Sequence, residues 1–420
     1  MDAFLLKWII VGVLLFNYIV EKWLSWLNGR HELQQVPQEL EGLYDASERQ
    51  RALAYHKALK QVGLWSGLLS LAITLTVIFT GLFGDLIALI HQYTDSAILE
   101  TLAFFGIIAI FSDIISLPFE WYSTFRIEEK YGFNKMTPKT FWLDKLKGYI
   151  IGGLLAGALV SLLVAFVEGY GIAYWPVFWL VLVVFLFTMN VLYPTVIMPL
   201  FNKFTPLEDG QLRSAITNYA ASVTFPLQNI FVMDGSKRST KANAFFAGLG
   251  RFKRLVLFDT LMNELEEKEI VAVFAHEVGH FKKGHIYQGF LLGAIQMGLM
   301  IFLFFYMVTE PVFTEAMGGQ GYAIGINLFV FSLLFSPLNY ILGFFSNLLS
   351  RKNEYEADAF ATHTHSGEDL ISGLKKISTK SLSSLNPHPY FVALNYSHPP
   401  LLYRIRAIKA EENKKQLTQP

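Results

Sequence analysis

Apolar residues gather into seven long runs, at 5–27 and at about 62–83, 97–117, 148–167, 175–198, 287–308 and 322–346. Each is close to the ~20 residues that an α-helix needs to cross a bilayer. The first run is broken only by Lys7, Glu21 and Lys22 and has neither a cationic leader nor an A-x-A cleavage site, so it is expected to stay in place as a span rather than be removed as a signal peptide. Two stretches break the pattern. Residues 199–286 open on turn formers (Pro199, Asn202, Pro206, Gly210), then predict a helix over 211–223 and short strands over 229–233 and 254–258. Residues 347–420 read as mostly helical and end in a polar, Lys-rich tail. The expected organisation is therefore four blocks: spans one to five with their loops (1–198), a polar segment (199–286), spans six and seven (287–346), and a C-terminal segment (347–420).

Charge settles which way the spans run. Arg30, Arg49, Arg51, Lys57 and Lys60 lie between runs one and two, and Arg126, Lys130, Lys135, Lys139, Lys145 and Lys147 between runs three and four. The connections at 84–96, 168–174 and 309–321 hold no Lys or Arg. Positive loops stay cytoplasmic, so the N-terminus is expected outside or in a lumen and both polar segments at the cytoplasmic face, of a bacterial inner membrane or an ER-type membrane. The composition agrees with a chain in a lipid bilayer: 53% hydrophobic, 16% charged, 37 Phe. A formal net charge of zero gives no global attraction to nucleic acid. With no cysteine, disulfides, thiol catalysis and thiolate metal sites are excluded, and any metal must be held by His, Asp or Glu.

One such set stands out. His276-Glu-Val-Gly-His280 matches H-E-x-x-H, in which residues four apart on a helix present both imidazoles to one ion. Glu277 then stands beside the ion as a base for an attacking water. Ile270, Val273, Phe274 and Phe281 form an apolar stripe for that helix, and Gly284 offers its stop. A catalytic zinc takes three protein ligands. The pattern H-E-x-x-H-x-x-G-x-x-H is excluded because Lys283 and Ile286 stand where it needs Gly and His. His285 is a second option, but the stronger one is the acidic run SRKNEYEAD at 350–358. There Glu354 and Asp358 share a helix face and Glu356 points away, which suits Glu354 as ligand and Asp358 as hydrogen-bond acceptor from a ligand histidine.

HEVGH at 276–280, SRKNEYEADAF at 350–360 and NYSHPPLLYRIRA at 395–407 together resemble the integral-membrane CAAX prenyl proteases of type I, as do LPFEWYSTFRIEEKYGFN at 117–134 and ANAFFAG at 242–248. The resemblance covers most of the chain in order. It implies an all-α polytopic membrane protein whose seven helices form a barrel around a large chamber, with a cytoplasmic zinc-protease region containing a small β element. It also implies one zinc on His276, His280 and Glu354, Glu277 as base, and Asp358 behind a ligand. Asn243 matches a residue near the substrate backbone, and His398 and Arg404 match residues that hold substrate or the oxyanion. The expected partners are the bilayer and a peptide or protein substrate, prenylated in eukaryotic relatives. Two other readings stay open: a membrane quality-control zinc protease without prenyl specificity, and a non-enzymatic seven-span transporter or receptor with a structural metal.

Overall fold

A computed structural model describes residues 2–227, 229–247 and 254–418 of the chain. Gly248 of the ANAFFAG motif and the last two residues of the polar tail lie outside the described residues. Helix α1 (Ala3–Glu32) is followed by α2 (Ala46–Thr80), the short α3 (Leu82–His91) and α4 (Ala97–Tyr122), which a π-helical turn, Ser123–Glu128, prolongs. Next come α5 (Pro138–Tyr170), a 3-10 turn (Ile172–Tyr174), α6 (Trp175–Leu192) and the one-turn α7 (Met198–Phe201). Helices α1, α2, α4 and α5 begin where polar side chains cap them. Asp2, Ser96 and Thr137 accept backbone N–H bonds, and Asp45 and Glu48 close a capping box on α2.

The polar region starts with β1 (Phe204–Pro206), α8 (Gln211–Ser222) and β2 (Asn229–Met233). It continues with β3 (Ala244–Ala247), β4 (Arg254–Phe258), α9 (Asp259–Glu264) and α10 (Glu267–Lys282). The chain returns to apolar sequence in α11 (His285–Met307), passes the short α12 (Pro311–Ala316), and then runs through α13 (Ile324–Leu334) and α14 (Ser336–Thr364). Helices α15 (Gly367–Lys380), α16 (Pro389–Asn395) and α17 (Leu401–Thr418) finish it.

Six helices are long and apolar enough to span a bilayer, and the α13–α14 pair, bent by 54°, makes a seventh if it is one span. The seven runs of the sequence thus correspond to seven helical units, most of them extending beyond the apolar core. Neighbouring contacts close them into a ring: α1 on α2, α2 on α4, α4 on α5, α5 to α6 through the 3-10 turn, α6 on α11, α11 on α13 and α14, and these on α1. A filled bundle would bury an apolar stripe of at least ~100° on each helix, nearly a third of its circumference. In five of the six long helices only 0–17% of the most apolar window is buried inside the protein, and α11 reaches 28%. The ring therefore encloses open space rather than a packed core, the chamber fold that the sequence resemblance implied.

Both polar segments gather at one end of the ring, together with the basic loops. Arg238 pairs with Asp144, Tyr55 with Glu128, and Arg406 with Glu39. The sheet there has the order β1-β2-β4-β3, with β2 and β4 parallel and the outer strands antiparallel, so β3 is an edge. Sequence periodicity found β2 and β4 and a helix matching α8, but not the short outer strands. One face of the sheet and helices α8, α10, α15 and α17 share a core that includes Ile216, Leu255, Leu257, Phe274, Leu370 and Ile405. That core holds α10 in place against α14.

Candidate metal centre

Helix α10 presents its first histidine inward because its apolar residues fix its rotation: Ile270, Phe274 and Val278 are buried, and His276 with them. Opposite, α14 brings Asn353, Glu354, Ala357, Asp358 and Ala361 into buried positions. The two helices meet at Gly279. A Cβ there would lie 2.9 Å from Ala357 Cα and 3.1 Å from its carbonyl oxygen, so only glycine lets the backbones come this close. This approach makes the cluster. His276 Nε2 and His280 Nε2 are 3.2 Å apart, Glu354 Oε1 is 3.2 Å from His280 Nε2, and Glu354 Oε2 is 3.6 Å from His276 Nε2. One ligand atom from each of the three residues falls within 4.8 Å of the others.

The donors fit a divalent metal. Two imidazole nitrogens and one carboxylate are a His2Glu set of the kind found in catalytic zinc sites. Glu354 Oε2 is buried and makes no hydrogen bond; it faces His276 Nε2 at 3.6 Å and the Arg404 guanidinium at 3.4 Å, and a metal ion between the imidazoles would supply the close partner that a buried carboxylate oxygen needs.

The remaining residues surround this set. His276 Nδ1 is 2.8 Å from Asp358 Oδ1, so Asp358 accepts the proton that keeps Nε2 free for a metal. Arg404 donates from Nε and Nη2 to the two Asp358 oxygens at 2.8 and 2.6 Å, and its Nη1 lies 3.4 Å from Glu354. Burial opposes the guanidinium charge, but the Asp358, Glu354 and Glu277 carboxylates together outweigh it and hold the Arg404 pKa above its ordinary value. His398 is exposed and its Nδ1 is 3.0 Å from Glu354 Oε1; that hydrogen bond raises its pKa against the smaller effect of burial. Burial also pushes the Glu277 carboxyl upward, opposed by the neighbouring His276 and His280. A divalent ion between the imidazoles would act in the same downward sense.

Asn243 does not reach the cluster. It stands exposed just before β3, where its Oδ1 accepts the Ala244 N–H at 2.9 Å and its carbonyl accepts the Phe258 N–H at 3.1 Å. It marks the start of β3, the outer strand of the sheet among the described residues. His285, the alternative third ligand offered by the sequence, and Glu356, which the sequence left without a role, sit directly behind the cluster. His285 is buried, with its Nδ1 3.0 Å from His280 Nδ1 and its Nε2 3.2 Å from Glu356 Oε2. His285 stands five positions after His280, a spacing that no single helix face explains. Gly284, at φ 71°, ends one helix and lets the next begin with His285 folded back.

A cavity of about 440 Å³ opens beside the cluster. Glu277 and His280 form part of its wall, Phe245 and Phe246 of β3 another, and the bare positions Gly289 and Gly293 of α11 a third.

Residues 27–203 match the family described as CAAX prenyl protease N-terminal, five membrane helices, and residues 206–412 match peptidase family M48. The CAAX prenyl protease 1 homolog of Oryza sativa subsp. japonica is 34% identical over 412 residues, spanning 96% of this chain and 97% of the rice protein. CAAX prenyl protease 1 of Saccharomyces cerevisiae is 32% identical over 445 residues, spanning 98% and 96% of the two chains. The crystal structure of S. mikatae Ste24p superposes with a TM-score of 0.88 at 32% identity, covering 96% of this chain and 99% of that one. Ring, cluster and likeness define an integral-membrane metallopeptidase. Within that class the chain belongs to the M48 family of CAAX prenyl proteases of type I.

Proposed function

We propose that the protein is a zinc endopeptidase that cleaves extended peptides at the cytoplasmic face of its membrane, and that its substrates carry a C-terminal CAAX motif with a prenyl group. His276, His280 and Glu354 would hold the zinc. When bound, zinc polarises the scissile carbonyl and brings the pKa of water down towards ~7. The observation that carries the reading is that Glu277, His280 of the cluster and β3, the outer strand of the sheet among the described residues, line one cavity.

An extended peptide adds to β3 by main-chain hydrogen bonds, with Asn243 at the entry to that edge, and this fixes the scissile bond beside the cluster. Glu277 takes the proton of the attacking water and returns it to the departing nitrogen. His398, exposed and next to Glu354, is placed to donate to the developing oxyanion. Arg404 is committed to Asp358 and Glu354, so its part is to hold these carboxylates in place, with any contact to substrate secondary. The apolar side of the cavity, along Gly289 and Gly293, takes the prenyl chain. From His285 to Gln296 the helix rises about 16 Å, similar to an extended farnesyl chain. The basic loops gathered at the same end support the cytoplasmic placement.

The test is cleavage of a farnesylated CAAX peptide and its unprenylated twin by purified protein, with Glu277→Gln and a chelator as controls. The expected result is cleavage of the prenylated peptide, lost on chelation and reduced about 10²–10⁴-fold in the variant with zinc still bound. Equal cleavage of both peptides would retain the peptidase and remove the prenyl requirement. Stoichiometric zinc with no cleavage of either would overturn the substrate assignment.

A further inference from the structure

We infer that His285 and Glu356 form a positioning relay for the zinc ligand His280, which fixes its tautomer and raises its affinity for the metal. This rests on the zinc reading above.

Two ring nitrogens facing each other at 3.0 Å, His280 Nδ1 and His285 Nδ1, form a hydrogen bond only if one carries a proton and the other a lone pair. His280 Nε2 faces His276 Nε2 and Glu354 Oε1, so its lone pair belongs to the metal. The His280 proton is therefore on Nδ1, and His285 Nδ1 must accept it. A neutral His285 that accepts at Nδ1 has its own proton on Nε2, where Glu356 Oε2 lies at 3.2 Å. The chain then has a single direction: His280 donates to His285, and His285 donates to Glu356. Such a partner orients the ligand ring and makes its metal-binding nitrogen more basic.

The arrangement parallels the other ligand, where His276 Nδ1 meets Asp358 and Arg404 stands behind the carboxylate. The reach differs. Asp358 contacts His276 directly, whereas Glu356 meets His280 only through a second imidazole, because His285 begins a new helix. His285 is 6% exposed and its ring lies 5.0 Å from that of His280 at 75°, so packing holds the relay as well as hydrogen bonding. All three acids of the 354–358 run are thereby employed: Glu354 on the ion, Asp358 behind His276, and Glu356 behind His280 through His285. Lys352, with Nζ 3.6 Å from Glu356 Oε1, helps to keep that end of the relay ionised.

The measurement is zinc affinity of the full-length apo-protein in detergent, by competition with a chromophoric chelator, with Co(II) absorption as a second readout of ligand geometry. His285→Ala is expected to weaken zinc about 10–100-fold and to alter the Co(II) bands. His285→Gln, which can both accept and donate, should recover part of that loss. Glu356→Ala should weaken zinc less than His285→Ala and add nothing in the double variant, because both act through one chain. Apo-protein melting temperatures identify any variant that fails by unfolding, in which case His285→Gln and Glu356→Gln carry the comparison. If His285→Ala and Glu356→Ala bind zinc as wild type does while Asp358→Ala is weakened, the relay is overturned and the zinc site stands. If His280→Ala binds zinc like wild type, the zinc reading fails and the relay with it.

Discussion

Arg404 grips Asp358 with two parallel hydrogen bonds, Nε to Oδ2 at 2.8 Å and Nη2 to Oδ1 at 2.6 Å. Since Asp358 also accepts from His276 Nδ1, the guanidinium on α17 sets the angle of a ligand on α10 through a carboxylate on α14. Lysine cannot reproduce a planar, two-pronged grip. Arg404→Lys is therefore expected to weaken zinc about tenfold or more, and Arg404→Ala also to destabilise the fold by about 3–5 kcal/mol by leaving buried carboxylates uncompensated. Zinc titration and thermal melting of both variants check this. A lysine variant with unchanged affinity would leave Arg404 only its substrate contact.

Gly279 is the point where α10 and α14 touch, with no room for a methyl group against Ala357 and Phe360. Gly279→Ala should force the helices apart, at a cost of about 1–3 kcal/mol, and separate His276 and His280 from Glu354. Its zinc affinity should fall more than that of an alanine placed at Gly289, where the surroundings are open. Equal affinities would show that the helix spacing does not control the site.

The open wall of the cavity gives a specificity prediction. Gly293 has nothing within 4 Å of where a Cβ would stand, so Gly293→Leu should fold normally and fill the apolar groove. The expected outcome is a fall in kcat/KM for a farnesylated peptide of about tenfold or more, with a smaller change for a short unprenylated one; a lost methylene-scale contact is worth about 1–3 kcal/mol. Equal losses for both peptides would place the prenyl chain elsewhere.

Acid should loosen the anchoring of α10. Burial alone would raise the pKa of Glu269, but hydrogen bonds from Lys376, Ser372 and the Glu266 N–H outweigh it and hold the carboxyl below its ordinary value of 4.5. A group with a depressed folded pKa stabilises fully above the unfolded value, and the contribution is lost as pH falls through the folded one. The melting-temperature gap between wild type and Glu269→Gln should thus be constant near neutrality and shrink below about pH 4.5. A gap that stayed unchanged down to pH ~3 would remove the ion pair from the stability of α10.

Much of this was legible because it is periodic. Runs of twenty apolar residues announce spanning helices, and the four-residue intervals of His276–His280 and Glu354–Asp358 announce shared faces. What escaped notice depends on tertiary placement. The edge strand Ala244–Ala247 is four residues of Ala-Phe-Phe-Ala with no alternation, a strand only because β4 pairs with it. The bend between α13 and α14 interrupts a run that reads as continuous, although Pro337, within the first turn of α14, gave a signal for it. Glu356 points away from Glu354 and Asp358, as helical geometry requires, and what it points towards is a histidine seventy-one residues earlier in the chain. No spacing rule reaches that far.

The ligands arrive on α10 and α14, and between these helices the chain passes through α11, α12 and α13. A nascent chain that has emerged only as far as His280 has two imidazoles and no third ligand, however well α10 has folded. With the proposed ligand set, the hydrolytic centre is completed only after α14 has folded and brought Glu354 back to α10. On that reading, latency during biosynthesis follows from the order of the sequence itself.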